Sequence, residues 1–337
     1  MISPNGKGHA RSELHAVRAL AALRTHELVV FVREPTKIDG VEVVPIKRQR
    51  TIEWELHGMP RAAKTHGLTA YISLSERLPL GGGPPVVVWL FESPVHRIHS
   101  NRVHRAPLWH RSSDVLTSLL WRRSLRRAAH VAFGSQASRD EVDAEVVLGG
   151  TSIVYPGVPP EFSAGPATDR GPYVLHLGSN DPRDNTAVAV EACRRAGARL
   201  LIVGGWRGPG AEALGRVSDA ELLDLYRGAA LYLDPTQYEG FGYGVLEAMA
   251  CGAPVVASRV TSIPEVVGDA GILCSPGDVD AFATAVERLL ADDALRRRLR
   301  SLGFSRASTF TWEKTALGLS AAVDAVLRES KGVRSGG

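Results

Sequence analysis

Short runs of hydrophobic residues alternate along the chain with segments whose hydrophobic positions recur at helical spacing. Eight runs are rich in Val, Ile and Leu and have strand length; they begin at residues 28 (LVVFV), 86 (VVVWLF), 130 (HVAFGS), 152 (SIVYPG), 173 (YVLHLGS), 199 (RLLIVGG), 230 (ALYLDP) and 254 (PVVAS). Helical spacing predicts helices over 186–196, 219–229 and 244–251. This alternation is typical of an α/β protein whose parallel sheets are covered on both faces, here in two Rossmann-like units.

One segment interrupts the pattern and indicates a domain boundary. Residues 156–172 are dense in Pro, Gly and Ser and follow neither period. The predicted divisions are an N-terminal domain over 1–160, a C-terminal domain over 161–310, an amphipathic terminal helix over 311–330 and a disordered tail over 331–337. Within the second domain, Asp278 is placed to cap a helix over 279–290.

The start of the chain departs from the Rossmann-like pattern. Only the residues MIS precede the first glycine-rich turn, PNGKG, whereas such a domain has a central strand before that turn. Without that strand, the ladder groups of its neighbours would be left unpaired. Two interpretations are open: the first strand is truncated and the intact chain begins upstream, or the start is divergent.

Composition argues against several classes of protein, among them membrane-spanning, secreted and disulfide-rich proteins, but does not identify the function. The chain has 337 residues, of which 44% are hydrophobic and 23% charged, as in ordinary globular proteins. The longest apolar run has about six residues, far below the ~20 that span a bilayer, and charged residues interrupt any secretory signal. Three cysteines without a CxxC pair argue against a disulfide framework and a structural zinc site. We therefore expect a cytoplasmic protein.

The most informative segment follows the strand that ends near residue 234. Glu239 precedes a Gly-Phe-Gly turn at 240–242, a helix runs from about Gly244, and Gly252 is placed to end it. A glycine turn on a helix N-terminus, at the carboxyl end of a parallel strand, is a standard phosphate site. Glu239 and Glu247 would repel phosphate but can accept hydrogen bonds from sugar hydroxyls. The pattern therefore favours a nucleotide sugar over a nucleotide alone.

This segment resembles the donor-site signature of the retaining GT-B glycosyltransferases of family four (glycosyl transferases group 1), which are related to sucrose and glycogen synthases. Glu239 and Glu247 match its E-x7-E pattern, and EAMACGAPVVAS at 247–258, PEVVGDAG at 264–271 and FTWE at 310–313 are also similar to it. The resemblance implies two Rossmann-like domains that face each other across a cleft, with the terminal helix crossing back to the first domain.

The resemblance also implies roles for individual residues. Glu239 would contact the transferred sugar and Glu247 the ribose. The donor would further be bound by residues of the turn and the helix start and by one glycine of a separate loop, namely Gly240, Phe241, Gly242, Tyr243, Gly244, Val245 and Gly178. No cofactor and no obligatory metal are implied. The alternative, a buried strand–loop–helix without function, leaves two carboxylates in a glycine-rich loop unexplained.

Relatives carry a cationic loop beside the diphosphate, and the matching segment here is 177-LGSNDPRDN. Departure of a nucleoside diphosphate needs positive charge at the leaving group, so Arg183 is the candidate catalytic cation. Asp184 stands where relatives have Lys, and must point away or bind something else. The competing interpretation is that Arg183 and Asp184 are an exposed turn pair of little energetic weight.

Residues of the first domain match the family less well. Gly6 and Gly8 resemble its first glycine loop, and we expect them on the acceptor side of the cleft. Where relatives carry a His that contacts the sugar, this chain has Phe91, and Glu92 follows. We expect Glu92 either to reach an acceptor hydroxyl or to face solvent.

The implied activity is a retaining hexosyl transfer from a GDP- or UDP-sugar to a hydroxyl of a glycan, a lipid-linked molecule or a natural product. The main alternative is a non-catalytic nucleotide-sugar-binding protein or partner subunit. An epimerase on the same fold is a further rival, against which the E-x7-E pattern argues. The nucleotide base, the sugar, the acceptor and the oligomeric state are left open.

Two other motifs have competing interpretations. Residues 115–130 form a basic amphipathic stretch with Trp121; it either contacts an anionic membrane or lipid-linked acceptor, or packs on the first sheet with a solvated basic face. Asp278-Val-Asp280 spells a metal-binding DxD motif, but a helix N-cap accounts for it. We expect no metal there, and no nucleic-acid-binding motif is visible.

Overall fold

The structure, a computed structural model, describes residues 9–32, 37–46, 53–74, 82–92, 121–123, 125–143 and 146–335. The chain divides into two compact units. The first unit comprises residues 1–157 and 311–337, and the second comprises 158–310. The division lies three residues before the predicted position, within the same Pro- and Gly-rich segment.

The first unit contains two parallel sheets and helices. Its elements are α1 (His9–Leu23), β1 (Val29–Val32), β2 (Glu42–Pro45), a π-helical turn (Trp54–Gly58), α2 (Met59–Thr65), β3 (Tyr71–Ser73), β4 (Val86–Leu90), β5 (His130–Phe133), α3 (Gln136–Asp143), β6 (Gly150–Ile153) and α10 (Trp312–Ser335). Strands β1 and β2 pair with each other, and the second sheet has the order β3-β4-β5-β6. All of these pairs are parallel.

The alternation of side chains along the strands explains the packing of this unit. Val88 and Leu90 of β4 lie in one core cluster with Trp121, whereas Val87 points to the opposite face and packs against Val323 of α10. The second sheet is therefore covered on both faces, as the near-continuous apolar run at residue 86 predicts.

Of the predicted disordered tail over 331–337, residues 331–335 instead continue α10, which ends at Ser335. The sequence 331-KGVRS contains no proline, and its Lys and Arg are good helix formers. One internal glycine costs a helix only about 1 kcal/mol.

The second unit is a single doubly wound sheet with helices. Its elements are β7 (Val174–Leu177), a 3₁₀ turn (Pro182–Asp184), α4 (Thr186–Arg195), β8 (Leu200–Val203), β9 (Glu212–Gly215), α5 (Asp219–Gly228), β10 (Leu231–Asp234), α6 (Tyr243–Cys251), β11 (Val255–Ser258), α7 (Ile263–Val267), β12 (Gly271–Cys274), α8 (Val279–Ala291) and α9 (Asp293–Ala307). The strand order is β12-β11-β10-β7-β8-β9, with all pairs parallel. The predicted α/β fold with parallel sheets is confirmed.

The strand order locates the point at which a ligand is expected. After β7 the chain adds β8 and β9 on one side, then returns to place β10, β11 and β12 on the other. The order therefore reverses between β7 and β10. In open α/β sheets, ligands bind outside the carboxyl ends of the strands at such a reversal.

Capping explains the ends of the helices that follow. The Asp278 side chain accepts a hydrogen bond of 3.0 Å from the Ala281 amide, and so caps α8. Asp280 of the same motif pairs with Arg195 on the protein surface. The described part of the chain contains no cluster of three or more His, Cys, Asp or Glu side chains suited to a metal ion.

Among the described residues, no helix is both long and apolar enough to cross a membrane.

The two aspartates of the DxD motif should differ when each is replaced by alanine. Asp278→Ala removes a helix cap and should lower the free energy of unfolding by about 1 kcal/mol. Asp280→Ala removes an exposed ion pair and should change it by less than about 0.5 kcal/mol. Urea unfolding followed by circular dichroism measures both values. An equal loss in the two variants, or a loss that appears only with added Mn²⁺, would contradict the capping role.

Candidate nucleotide-sugar site

Two loops meet where the strand order of the second unit reverses. Gln237 donates its amide hydrogen to the carbonyl oxygen of Arg183 at 2.8 Å, and the Thr236 hydroxyl donates to the same oxygen at 2.9 Å. The Asn185 side-chain amide donates to the Pro235 carbonyl at 3.0 Å. The structure therefore brings the Arg183 loop, which follows β7, against the Glu239 loop, which follows β10.

The glycine turn leads directly into α6. Gly242 has a φ of 103°, a conformation that glycine adopts far more readily than other residues, and a Cβ there would lie 2.8 Å from the Ile263 side chain. Gly242 is also the N-cap of α6 and provides no side chain to accept hydrogen bonds from the first turn. The amides of Tyr243, Gly244 and Val245 begin the helix, so this end can bind an anion.

The side chains next to these glycines are part of the core. Phe241 is 1% exposed, and its ring lies 5.8 Å from the ring of Phe310 and 5.2 Å from that of Tyr243. Val245 is fully buried. Phe241 and Val245 were predicted to bind the donor, and their burial leaves only their backbone groups for that role.

Glu239 is fixed through its backbone. Its amide donates to the Thr261 hydroxyl at 3.1 Å, and its carbonyl accepts from the hydroxyls of Thr261 at 2.7 Å and Ser262 at 2.8 Å. Thr261 has a φ of 41°, which is rare for a β-branched residue. The Glu239 side chain is half-buried beside the glycine turn. The loop after β11 therefore fixes the position of this carboxylate.

Glu247 is buried within α6 and meets tyrosines below it. It is 5% exposed, and the Tyr226 hydroxyl donates to its Oε2 atom at 3.3 Å. The Tyr226 ring packs edge-on against that of Tyr232, with centroids 5.5 Å apart. Burial and the negative charge of Glu247 both raise the pKa of Tyr226. Tyr226 therefore stays protonated and serves as a hydrogen-bond donor to the carboxylate.

The hydroxyl of Tyr232 lies under the first turn of α6, among carboxylates. A Cβ at Gly244 would lie 2.5 Å from this hydroxyl, so only glycine fits there without a shift. The hydroxyl donates to Asp234 at 3.3 Å, and Glu239 and Glu247 act with Asp234 and burial to raise its pKa. Burial raises the pKa of Asp234 itself to about 6. Two buried groups next to the helix start thus have altered proton affinities.

The loop after β7 rests on a buried histidine. The ring of His176 is fully buried; its Nδ1 atom lies 2.9 Å from the Leu233 carbonyl, to which it donates, and its Nε2 atom lies 3.1 Å from the Thr186 hydroxyl. Thr186 also donates to the Ser179 carbonyl at 2.9 Å. Burial lowers the pKa of His176 to about 4. A neutral His176 therefore supports the loop that carries Arg183.

Gly178 is required by this packing. A Cβ at Gly178 would lie 2.2 Å from the Nε2 atom of His176 and 2.5 Å from the Thr186 hydroxyl. The sequence pattern placed Gly178 beside the donor, and the structure shows that the residue also lets the loop close onto His176.

The loop that carries Arg183 also carries two aspartates, Asp181 and Asp184, which have different partners. The Arg183 guanidinium donates to the Asp181 carboxylate at 2.9 Å, and Asp181 also caps the 3₁₀ turn by accepting from the Arg183 amide at 2.9 Å. Asp184 points instead to the Ser179 hydroxyl, which donates to it at 2.5 Å. Burial raises the pKa of Asp184. The Arg183 guanidinium thus forms an ion pair with Asp181, and the Asp184 carboxylate accepts from Ser179.

The candidate residues of the first unit are placed less fully. Gly6 and Gly8 lie outside the described residues. Glu92 follows β4 and is half-buried. The Phe91 ring is buried 4.6 Å from the ring of Trp89 and packs over Gly134. Phe91 is therefore a core residue of this sheet.

The basic segment 115–130 is described only from residue 121, except residue 124. Trp121 and Leu125 are buried in a core cluster with β4 and β5, whereas Arg123 is exposed. This arrangement agrees with a helix that packs on the sheet formed by β3, β4, β5 and β6. A buried Trp121 has no free ring to insert into a lipid surface.

Sequence reasoning missed the layer beneath the helix start, formed by His176, Thr186, Tyr226, Tyr232 and Asp234. Most of these positions lie in strands or helices whose sequences resemble those of ordinary apolar elements. The available signal was polar side chains inside buried runs, such as His176 in YVLHLGS and Asp234 at the end of ALYLDP.

His176 and Asp234 should give opposite pH dependences of stability. The folded pKa of His176 is below its ordinary value of 6.5, so the unfolded chain takes up this proton first and acidification from pH 6.5 to 4 destabilises the fold. The folded pKa of Asp234 is above its ordinary value of 3.8, so acidification from pH 6 to 4 stabilises it. Each contribution is at most ~1.4 kcal/mol per pH unit.

Relative to the parent chain, His176→Gln should therefore gain stability as the pH falls from 6 to 4, and Asp234→Asn should lose it. Urea unfolding at pH 4.5, 5.5 and 6.5 measures the two trends. Curves that run parallel to that of the parent chain would show that neither group has the stated proton affinity.

Comparison with known sequences agrees with this geometry. The profile of the family described as Glycosyl transferases group 1 matches residues 171–292. O-antigen chain mannosyltransferase B of Escherichia coli is 38% identical over 162 residues, which are 42% of this chain and 42% of that protein. A D-inositol 3-phosphate glycosyltransferase of Thermobifida fusca is 36% identical over 114 residues, 33% of this chain and 26% of that protein. The matched region spans less than half of each relative.

Solved structures are similar over nearly the whole chain. Sucrose-phosphate synthase from Thermosynechococcus elongatus superimposes with a TM-score of 0.77 at 21% identity, covering 96% of this chain and 94% of that chain. HepE from Anabaena, in complex with UDP and glucose, gives a TM-score of 0.72 at 15% identity, with coverage of 96% and 98%. The segment 171–292 is therefore similar to the glycosyl transferases of group 1, and the fold of the chain is that of the GT-B glycosyltransferases.

Proposed function

We propose that this protein transfers a hexose from a GDP- or UDP-sugar to a hydroxyl group of its acceptor, with retention of configuration. The observation that carries the proposal is the uncapped start of α6 behind Gly242, at the reversal of strand order, with Glu239 before it and Glu247 within it. Helix amides attract the diphosphate, and carboxylates accept hydrogen bonds from hydroxyls. A nucleotide sugar presents both kinds of group.

In this proposal the amides of Tyr243, Gly244 and Val245 hold the diphosphate. Phosphate there needs backbone access, which Gly242 and Gly244 provide because neither has a side chain over the helix start. Arg183 approaches from the adjoining loop, whose carbonyl is tied to Thr236 and Gln237. The diphosphate would compete with Asp181 for the Arg183 guanidinium, which is joined to that carboxylate by a partly exposed ion pair that solvent screens.

The two glutamates have separate tasks. Glu239 stands beside the glycine turn with its backbone fixed by Thr261 and Ser262, so its carboxylate can orient hydroxyls of the transferred sugar. Glu247 lies deeper, where Tyr226 donates to one of its oxygens, and it can accept from the ribose hydroxyls with the remaining lone pairs. Each carboxylate would thus contact a different part of the donor, Glu239 the transferred sugar and Glu247 the ribose.

The proposed reaction is a displacement on one face of the sugar. The bond between the anomeric carbon and the diphosphate oxygen breaks, and the acceptor oxygen attacks from the same side. The acceptor proton passes to the departing diphosphate oxygen. Arg183 and the amides of α6 stabilise the negative charge that develops on the leaving group, so no metal ion and no cofactor are required.

The relatives support this class of reaction. The relatives that match part of this chain include mannosyltransferases and D-inositol 3-phosphate glycosyltransferases, and HepE has been crystallised with UDP-glucose. We therefore favour a hexose as the transferred sugar and a glycan or a lipid-linked molecule as the acceptor.

Nucleotide binding without metal tests the donor site. UDP, GDP, ADP and dTDP are each added at millimolar concentration with EDTA, and the midpoint of thermal unfolding is measured. A ligand at ~100 times its Kd adds ~2.7 kcal/mol, so the matching nucleotide should raise the midpoint by ~2–4 °C or somewhat less. Glu247→Gln should abolish most of that shift because it weakens the ribose contact, while Glu287→Gln, an exposed substitution on α8, should leave it unchanged.

Release of the same nucleotide from its hexose derivative, with acceptor present, then measures turnover. Binding with turnover that Glu239→Gln lowers at least tenfold would support the transferase. If none of the four nucleotides raised the midpoint of thermal unfolding, the proposal of a functional donor site would be refuted.

Arg183→Ala tests the proposed catalytic cation. The loss should lower kcat/KM by ~10²-fold, with most of the effect in kcat, because the guanidinium acts on charge that develops during departure. Arg297→Ala, an exposed arginine on α9, is the matched control and should have no effect. Kinetics of Arg183→Ala that equal those of the control would remove Arg183 from the mechanism.

One observation favours a second candidate, a protein that binds nucleotide sugars without transferring them. Arg183 is paired with Asp181, and the buried carboxyl of Asp184 lies where relatives have a lysine. Both features weaken the positive charge available to a leaving diphosphate. Tight nucleotide binding with no turnover, and with no gain in turnover in Asp184→Lys, would establish this alternative.

A further inference from the structure

The loop after β11 contains a residue in a strained backbone conformation. Among the described residues, three that are not glycine have a positive φ, namely Arg24, Asn185 and Thr261. Asparagine tolerates this conformation, whereas a β-branched residue such as threonine rarely adopts it. Residues in such conformations persist only where the surrounding structure fixes them, and they are enriched at functional sites. The φ of 41° at Thr261 therefore needs a partner that holds it in place.

The partner of Thr261 is the backbone of Glu239, which lies 22 residues earlier in the chain. The Thr261 hydroxyl donates to the Glu239 carbonyl at 2.7 Å and accepts from the Glu239 amide at 3.1 Å. One hydroxyl thus bonds to both backbone groups of a single residue. Thr261 is exposed, so packing in a core does not explain its conformation.

Ser262 makes a further bond to the same residue. Its hydroxyl donates to the Glu239 carbonyl at 2.8 Å, and Ser262 is fully buried. Ser262 is also the N-cap of α7, where a serine hydroxyl ordinarily accepts a hydrogen bond from the first helical turn. Here the side chain makes no such bond. The Ser262 hydroxyl therefore serves Glu239 instead of the helix that it precedes.

The helix α7 is itself anchored at both ends. Ile263 and Val266 are fully buried and lie under Gly242, where a Cβ would be 2.8 Å from Ile263 and 4.0 Å from Val266. At the other end, the Arg306 guanidinium of α9 donates to the Val266 carbonyl at 3.0 Å and to the Glu265 carbonyl. The two hydroxyls therefore belong to a segment that is fixed against the glycine turn and against α9.

We propose that Thr261 and Ser262 are positioning residues for the proposed sugar transfer, and that Thr261 holds a strained backbone conformation in order to act as one. Neither residue needs to touch the donor. Their hydroxyls hold the backbone of Glu239, and through it the carboxylate that orients the transferred sugar. The inference rests on the function proposed for Glu239 and adds residues that set kcat without contact to the sugar.

A small displacement of Glu239 is sufficient to affect transfer. A shift of about 1 Å in a group that positions the reacting atoms can lower a rate by ~10²-fold. In the proposed site the diphosphate is held by the amides of α6, so a change at Thr261 should lower turnover and leave nucleotide binding intact. An ordinary structural contact would instead lower stability and turnover together.

The test compares substitutions that separate the hydroxyl from the strain. Thr261→Gly removes the hydroxyl and also relieves the strain, because glycine adopts a positive φ readily. Thr261→Ser keeps the hydroxyl. Arg24→Gly is the matched control, since it relieves a positive φ at an exposed residue of the first unit. Three quantities are measured: the midpoint of thermal unfolding with and without UDP or GDP, hydrogen exchange at the Glu239 amide, and release of UDP from UDP-glucose or of GDP from GDP-mannose.

Thr261→Gly should unfold within ~2 °C of the parent chain, because relief of strain offsets the loss of two exposed hydrogen bonds. Its Glu239 amide should exchange at least about tenfold faster, and its kcat should fall at least about tenfold. The nucleotide should still raise its midpoint as in the parent chain. Thr261→Ser should keep kcat within about threefold of the parent value, and Arg24→Gly should match the parent chain in kcat and in exchange at Glu239.

Equal kcat in Thr261→Gly and Arg24→Gly, or unchanged exchange at the Glu239 amide, would overturn the proposal. A loss in Thr261→Ser as large as that in Thr261→Gly would also overturn it, because the hydroxyl would then not be the group that matters. Should Thr261→Gly not fold, Thr261→Val takes its place, with the same expected kcat and exchange. If the parent chain releases neither nucleotide, the function proposed above fails, and exchange at the Glu239 amide alone then decides whether the hydroxyls fix this residue.

Discussion

The candidate site depends on one carbonyl oxygen. The oxygen of Arg183 accepts from the Gln237 amide and from the Thr236 hydroxyl, and these bonds join a loop after β7 to a loop after β10. Strands β7 and β10 are neighbours at which the strand order reverses, so the loops that follow them lie side by side. The two loops satisfy part of each other's backbone hydrogen bonding, which joins the Arg183 loop to the loop that leads into the glycine turn.

Burial of acidic groups is the second constraint on this site. Asp234 and Tyr232 are buried beneath the start of α6 and Glu247 is buried within it, where the helix dipole favours negative charge. Burial acts in the opposite direction and raises the pKa of Asp234 to about 6. A diphosphate over the same amides would add to this negative charge. The protein therefore relies on tyrosine hydroxyls, which donate to Asp234 and Glu247, to hold the carboxylates in place.

Much of the fold of the second unit could be predicted from the sequence, and the reason is physical. Parallel strands buried on both faces are continuous apolar runs, so β7, β8, β10 and β11 were predictable. Strands β9 and β12 were missed; they lie at the two edges of the sheet, where burial and apolar character are weaker. Strand β2 of the first unit was missed for the same reason, and β3 because it has only three residues, one of which is a serine.

The candidate site also has a part that the sequence predicted and a part that it did not. Carboxylates next to clustered glycines leave a signal in the sequence because few other roles require this combination, and that signal pointed to residues 239–247. Contacts between side chains that meet only in the folded structure leave no such signal in the sequence. The pairing of Arg183 with Asp181 rather than Asp184 depends on the 3₁₀ turn that Asp181 caps, and the support of Gly178 by His176 depends on a helix ten residues away. Such contacts become visible only when the loops are folded.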